Sequence, residues 1–568
     1  MEKHACQRAL LLLTILAVGA FLLRQVYDPD IWWHVTIGDD ILRTRSIPRI
    51  DRYALAGLGN PYHDSHWLFQ VLLALFHRAA GMVGVQLGGI ALWALTLYIT
   101  YKAIRHWAEP GVAALLMFCV AMASEERFIS RPEIITFLMV ALFGWLLQEG
   151  RHRTWRGKAL FALAQCLWAN AHGLFVIGPF MVGCYWVADT WKRLRGRPAE
   201  PGAGGLTLLT VAASLLTPFG FNGLVYAYTL FTEVGASAPP VLRTIGELRP
   251  TFGSGCWQGL AFWFFLLLLI LTLIGIAGLL LRNREAISLP RLLIIVGLGL
   301  AASTGRRNIP LFALAAGPFI AEQFFWLLRS RPYLSPLGAV AGAIGMLVLA
   351  VLPISGRHYA MRMPTFFGFG VTPLSFPTGL PAYLQQIGFT GQILNSGNLG
   401  GFYLYHSYPR RIPLYDGRWE VYGPGRLESL QTVMAQAREN RPLWRAFTRD
   451  NDIRGILIQH ISPEASALLP FLPGDPDWRL AYYDNSASFW LRSDVNHAPQ
   501  VTEFVTAARV RPFASRDDWG MLDWFLMTAQ APLDIRLHHL RQVPVQWRNR
   551  EMEMAIEEMA RKLGQTDK

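Results

Sequence analysis

Charge is scarce in this 568-residue sequence. Only 16% of its residues are Asp, Glu, Lys or Arg, against about 25% in ordinary soluble domains. Nucleotide and protease signatures are missing as well: there is no GxGxxG, Walker, GxSxG or HExxH pattern, so nucleotide hydrolysis and serine- or zinc-protease chemistry have no support. Cysteine is sparse, with five in all. Cys119, Cys166 and Cys184 lie in apolar runs, Cys6 precedes one and Cys256 borders another. Without a CxxC or zinc-type spacing, no disulfide framework is implied. The formal net charge of +13 comes without a basic-aromatic module, which argues against a nucleic-acid partner. No sequence repeat or low-complexity linker stands out.

Apolar runs are what the chain has instead. Hydrophobic residues make up 52% of it and the mean hydropathy is +0.28. Several runs approach or reach the ~17–25 residues that cross a bilayer. The pattern predicts a polytopic α-helical membrane protein of about eleven spans, near 9–27, 82–104, 111–123, 134–148, 159–169, 174–191, 204–217, 257–281, 289–303, 309–328 and 335–354. The first run follows Lys3 and Arg8 as a signal peptide would, but an uncleaved first span suits a many-span chain better. Residues 67–79 are short and hold His77 and Arg78, which predicts an interfacial helix instead of a twelfth span. With the N-terminus inside, the inner loops are the basic segments 102–107, 151–158, 192–198, 282–285 and 329–332, as positive-inside sorting requires. The C-terminal part then lies outside.

The outer loops under this topology gather ionisable side chains at span ends, where such groups are costly and commonly functional. They read "DPDIWWH" (28–34), "HDSHW" (63–67), "EERFISRPE" (125–133), "WANAHG" (168–173), "TPFGFNG" (217–223), "IGELRP" (245–250) and "TGRRNIP" (304–310). Asp28 and Asp30 are candidate general bases; the alternative is an Asp-Pro turn in which the carboxylate caps backbone amides. Arg127, Arg131, Arg306 and Arg307 are suited to clamping a phosphate, beside Asn308; the alternative is pairing with lipid headgroups or with Glu126 and Glu133. His34, His63, Asp64, His66, Asn170 and His172 are candidate substrate contacts. The histidines and aspartates are also chemically suited to a divalent metal, although hydrogen bonding at an aromatic-rich interface is the plainer reading and no cofactor is expected.

Past Gly356 the hydropathy drops. "GQILN" (391–395), "IPLYD" (412–416), "RGILIQH" (454–460) and "ASFWLR" (487–492) read as short strands, with a helical pattern from Leu427 to Glu439, which predicts a small α/β domain. The expected organisation is a membrane domain over 1–355 with a long first outer loop at 28–81, an extracytoplasmic α/β domain over 356–498, and a helical tail over 499–568. Within 395–423, Asp416, Gly417 and Arg418 are suited to contacting an acceptor, or Asp416 and Arg418 to pairing with one another at a strand-to-helix turn.

Taken together, "DPD" directly after the first span, the long first outer loop, "ISRPE" (129–133) and "RRNIP" (306–310) resemble the GT-C superfamily of integral-membrane glycosyltransferases, in particular the bacterial relatives of the protein O-mannosyltransferases. "DPDIWWH", "WANAHG" and "GGFYLYHSYPRRIPLYDGRWEVYG" look like a poorly characterised bacterial branch of it. The general resemblance covers roughly 1–355, and the branch motifs extend to about 425. It implies transfer of a sugar from a polyprenyl-phosphate carrier to a glycan, lipid or protein acceptor on the periplasmic face of the bacterial inner membrane. It also implies a catalytic acid just after span one, here Asp28 or Asp30. The commoner family pattern has two adjacent acids, whereas Pro29 separates them here, leaving open which one is the base. A non-catalytic scaffold for envelope or polysaccharide assembly is the rival reading. A transporter is a weaker one, because the charges sit at span ends and do not line a path through them.

Overall fold

The computed structural model describes residues 2–198, 202–234, 249–253, 259–358, 365–373, 375–460, 462–484, 486–494, 533–541 and 550–564. The chain forms two compact units. Unit 1 contains residues 1–24, 37–47 and 63–354; unit 2 contains 25–36, 48–62 and 355–568.

Unit 1 is helical. Its elements are α1 (Glu2–Leu22), the second half of α2 (Ile31–Thr44), α3 (Trp67–Trp107), α4 (Pro110–Ala123), α5 (Glu133–Gln148), α6 (Trp155–Ala171), α7 (Ile177–Leu194), α8 (Ala203–Ser214), α9 (Phe221–Val234), α10 (Leu260–Arg282), α11 (Leu289–Thr304), α12 (Ile309–Leu328) and α13 (Pro336–Ile354). Runs of Leu, Ala and Ile favour these helices, and prolines in the first turn start α4, α11 and α12 at no hydrogen-bond cost. Thr154 caps α6 by accepting the Gly157 N–H at 3.1 Å. Among the described residues five helices are long and apolar enough to cross a membrane, and five shorter apolar helices accompany them. Along α13, Leu337, Val340, Ile344, Leu347, Val348 and Val351 are all exposed. A continuous exposed apolar face of that kind suits contact with a bilayer or with a partner surface. Small residues bring helices close: a Cβ on Gly317 of α12 would stand 2.9 Å from Val120 and 3.1 Å from Ile104.

Several local outcomes differ from the sequence reading. The first helix stops at Leu22, not 27, because the Gln25 and Val26 amides turn to the carbonyls of Phe366 and Gly370, each at 2.8 Å. The segment 67–79 is helical and separated from the rest of α3 by a break at Ala80 and Gly81, where Gly81 takes φ 60°, a conformation that glycine adopts readily. An unforeseen helix, α9, follows the 217–223 loop.

Unit 2 carries a four-stranded sheet of β1 (Gln392–Asn395), β2 (Ile453–Gln459), β3 (Trp478–Tyr483) and β4 (Ala487–Arg492), in the order β1-β2-β4-β3. β1 and β2 are parallel, with Leu394 opposite Ile456, and the other two pairings are antiparallel. The apolar run of β2 reflects its central place, buried almost throughout. Helices Gly397–Ser407, Trp419–Tyr422, Pro424–Ala435 and Arg441–Asp450 fill the β1-to-β2 crossover. "IPLYD" is not a strand. Pro413 and Leu414 give their carbonyls to the Leu55 and Ala56 amides, at 2.9 and 2.8 Å, and the Leu414 amide goes to the Asn395 side chain at 2.9 Å. β3 takes the sheet position that the sequence reading left empty. In the tail, Leu533–Arg541 and Arg550–Lys562 are helices that pack Leu537 and Leu540 with Ile556 and Met559. Residues 500–532 and 245–248 lie outside the described residues.

Candidate functional site

Unit 2 places the DPD motif beside the turn that follows "IPLYD". Asp28 is buried, and its Oδ1 accepts the Asp30 amide at 3.1 Å, an Asx turn that opens α2. Asp30 is half-buried at the helix start, and its Oδ1 takes the Trp33 indole N–H at 3.1 Å. The same oxygen abuts Gly417, where a Cβ would stand 2.2 Å away. Only a residue without a side chain allows this approach. His34 is buried one turn on, its amide closing a turn to the Asp30 carbonyl at 3.2 Å.

The 416–422 turn is held rigidly from below. Arg418 is fully buried. Its Nε donates to both Asp416 oxygens at 3.0 Å, its Nη2 to Asp416 Oδ2 at 2.8 Å, and its Nη1 to Asp51 Oδ1 at 2.7 Å. Tyr422 donates its hydroxyl to Asp416 Oδ1 at 2.6 Å and accepts the Asp416 amide at 3.0 Å. The guanidinium also lies 5.3 Å from the ring centres of Tyr53 and Tyr62 and 6.0 Å from that of Trp33. Two acids thus share one cation away from water, a costly arrangement unless each partner is well hydrogen-bonded. Burial pushes the Asp51 carboxyl up, the Arg418 charge pulls it down, and Asp416 adds to the upward push. Asp51 Oδ2 is buried without a hydrogen-bond partner in the structure. Asp416 and Arg418 therefore spend their polar atoms on one another, on Asp51 and on Tyr422.

Unit 1 brings together most of the remaining candidates. Arg127 pairs with Glu133, and Arg306 pairs with Glu126, which ties the 304–310 loop to the 125–133 loop. Arg24 braces that second loop by donating to the carbonyls of Phe128 at 2.9 Å and Glu125 at 3.0 Å. Trp67 donates to Asn170 at 3.0 Å. Asp64, fully buried, accepts from Gln70 at 3.0 Å and from the His66 amide at 3.1 Å. The rings of His66 and His172 are 5.6 Å apart. Trp168 donates to the Thr136 hydroxyl at 2.8 Å, and the same hydroxyl is hydrogen-bonded to His172 Nδ1 at 2.7 Å. Burial depresses the His172 pKa first, followed by the positive fields of His66, Arg307 and Arg127. His63 stacks with Phe219 and Tyr226 at 3.9 and 4.1 Å, and after burial its charge is what lowers the His66 pKa. Arg131, Arg307 and Asn308 are half-buried, and Asn308 donates to the Ala301 carbonyl at 3.0 Å. No group of three or more His, Cys, Asp or Glu side chains suited to a metal occurs among the described residues.

Sequence reasoning missed Asp51 and Tyr422. Asp51 lies 367 residues from its partner Arg418, so no local pattern links them. Gly417 reads, with Asp416 and Arg418, as an acceptor contact; its close approach to Asp30 comes from folding.

No family model matches the chain, and neither does any curated protein sequence. Solved structures do. The archaeal oligosaccharyltransferase AglB from Archaeoglobus fulgidus, in complex with an inhibitory peptide and a dolichol-phosphate, superposes with a TM-score of 0.57 at 14% identity, over 87% of this chain and 75% of that one. The apo form of the Archaeoglobus fulgidus oligosaccharyltransferase gives 0.56 at 14% identity, with the same coverage. The form tethered to an acceptor peptide containing the NVT sequon gives 0.55 at 13% identity, over 86% and 74%. With its apolar helices and small mixed sheet, this chain shares the overall fold of these oligosaccharyltransferase structures.

Proposed function

We propose that this protein is a membrane glycosyltransferase that moves a sugar from a polyprenyl-phosphate carrier to an acceptor on the periplasmic face of a bacterial inner membrane. About eleven spans, a cytoplasmic N-terminus and a periplasmic α/β domain belong to the same reading. The observation that carries it is the Asp30 carboxylate, half-buried, fixed by the Trp33 indole and pressed on the Gly417 backbone, in a chain with this fold. Preorganisation of that kind suits a group that must meet a substrate hydroxyl in one geometry. The solved relative carries a dolichol-phosphate, which agrees with a lipid-linked donor.

Asp30 is the favoured base, because Asp28 is buried under the turn that it caps whereas Asp30 keeps partial exposure. The acceptor is a glycan, lipid or protein hydroxyl. The base takes its proton, the oxygen attacks the anomeric carbon, and the sugar inverts. Arg127, Arg131, Arg306 and Arg307 are assigned to the carrier phosphate, where each well-placed donor contributes up to about 3–4 kcal/mol to the transition state. Arg127 and Arg306 reach it while bound to Glu133 and Glu126, which keeps them extended and compensated when the carrier is absent. His66, Asn170 and His172 line the same end of their unit's helices and contact the sugar or phosphate. Asp416 and Arg418 set the position of Gly417. The test replaces Asp28 and Asp30 with Asn, singly and together, and follows label transfer from a polyprenyl-phosphate sugar in membranes. The double variant, and Asp30→Asn alone, are expected to lose transfer; a folded double variant of unchanged activity ends the assignment.

A further inference from the structure

Unit 1 holds a cleft between α3, α5, α7, α11 and α12, toward the end of these helices away from the 125–133 and 304–310 loops. Its open space is about 50 Å³, several times the ~10–15 Å³ that one water requires. Along α5 it runs from Val140 to Gln148, roughly 12 Å at the helical rise. Much of its wall is apolar, Ile294 and Phe319 included, while Trp145, Tyr185 and Arg291 are half-buried and carry the cleft to the outside of the bundle.

Two features of the wall point to an occupant. The first is Gly144. Inside a helix glycine is less favourable than alanine by about 0.8–1.0 kcal/mol, and here neither backbone nor packing asks for it. Gly144 is not among the positive-φ glycines, and a Cβ there would meet only the Met181 methyl, at 3.9 Å. What the glycine does is keep the cleft open. The second is charge. Arg291 lines the cleft from within an apolar helix. Its Nη1 donates to Glu322 Oε2 at 2.5 Å, and its guanidinium lies 5.6 Å from the ring centre of Trp107. Ionisable groups in membrane helices are costly and commonly mark a site. Exposed Lys102 stands 5.6 Å from the ring centre of Trp145. Arg291 and Lys102 against Glu322 leave one positive charge beside an apolar space.

We propose that this cleft binds an anionic phospholipid of the bilayer, its phosphate on Arg291 and part of one acyl chain beside Gly144. The inference is separate from the sugar-transfer reading and needs only that unit 1 lies in a membrane. A guanidinium offers planar, paired donors that match phosphate oxygens, and Glu322 fixes its direction. The residual positive charge selects an anionic headgroup over a zwitterionic one. The apolar wall selects a lipid over a free phosphate.

Native mass spectrometry of the full-length protein, released from nanodiscs of equal phosphatidylglycerol and phosphatidylcholine, tests this. One phosphatidylglycerol retained per protein, in preference to phosphatidylcholine, is expected. Gly144→Leu fills the space and should lower that retention about tenfold, the effect of expelling two methylenes. Gly205→Leu, at an exposed α8 position where a Cβ meets nothing within 4 Å, should leave it unchanged. Lys102→Gln should cut the preference for phosphatidylglycerol about fivefold. Thermal unfolding reports whether each variant is folded; if Gly144→Leu is not, the exposed Lys102 position decides. Equal retention of the two lipids, retention that survives Gly144→Leu in a folded protein, a preference unmoved by Lys102→Gln, or displacement of the phospholipid by an equimolar polyprenyl phosphate overturns the proposal.

Discussion

Replacing Gly417 with Ala adds one carbon and tests the central geometry. The new Cβ would stand 2.2 Å from Asp30 Oδ1 and 3.3 Å from Asp30 Cγ. Ordinary C···O approach stops near 3.3 Å, so the carboxylate must retreat by about 1 Å. The Trp33 indole, now 3.1 Å from that oxygen, cannot keep a hydrogen bond once the separation passes roughly 3.5 Å. The backbone itself tolerates Ala: Gly417 is exposed and lies outside the positive-φ glycines. Stability should therefore change little. A reacting group misplaced by 1 Å costs on the order of 100-fold in rate, equivalent to about 2.7 kcal/mol of barrier. The assay is kcat/KM for label transfer from a polyprenyl-phosphate sugar, with thermal unfolding measured on the same preparation. A Gly417→Ala protein with native melting and undiminished transfer would show that the Asp30 position against this turn has no part in the chemistry.

Arg418→Met should be far more damaging to the fold than to any surface. It strands Asp51 and Asp416 in the interior, at a cost of about 3–5 kcal/mol, and unit 2 should lose its unfolding transition or melt well below unit 1 in calorimetry. Asp51→Asn should behave oppositely. The Asp51 pKa is raised on folding, so its ionised form opposes the folded state; native stability declines as pH rises through that raised value, and the Asn variant should lose this decline when unfolding is followed by denaturant titration from acid to neutral pH.

Much of unit 1 was legible because lipid-facing helices leave long apolar runs, and every predicted span overlaps a helix where residues are described. Helix ends were less so. The stop at Leu22 is imposed by carbonyls of Phe366 and Gly370, which no local signal encodes. Likewise "IPLYD" has strand composition but spends its carbonyls on residues 55 and 56. The outer-loop arginines were visible as candidates, and their Glu126 and Glu133 partners were among the alternatives read from the sequence. The 416–418 stretch was read either as acceptor contact or as an internal pair, and the structure forms the pair.

The link between Asp51 and Arg418 also sets a timetable for biosynthesis. A ribosome adding about 5–20 residues per second needs roughly 20–70 s to travel the 367 residues between them. Throughout that interval Asp51 lacks the guanidinium that it meets in the folded chain. Any truncated product ending before the 416–422 turn would keep an acid and two tyrosines, Tyr53 and Tyr62, with nothing to close on, marking it as a substrate for quality-control proteases.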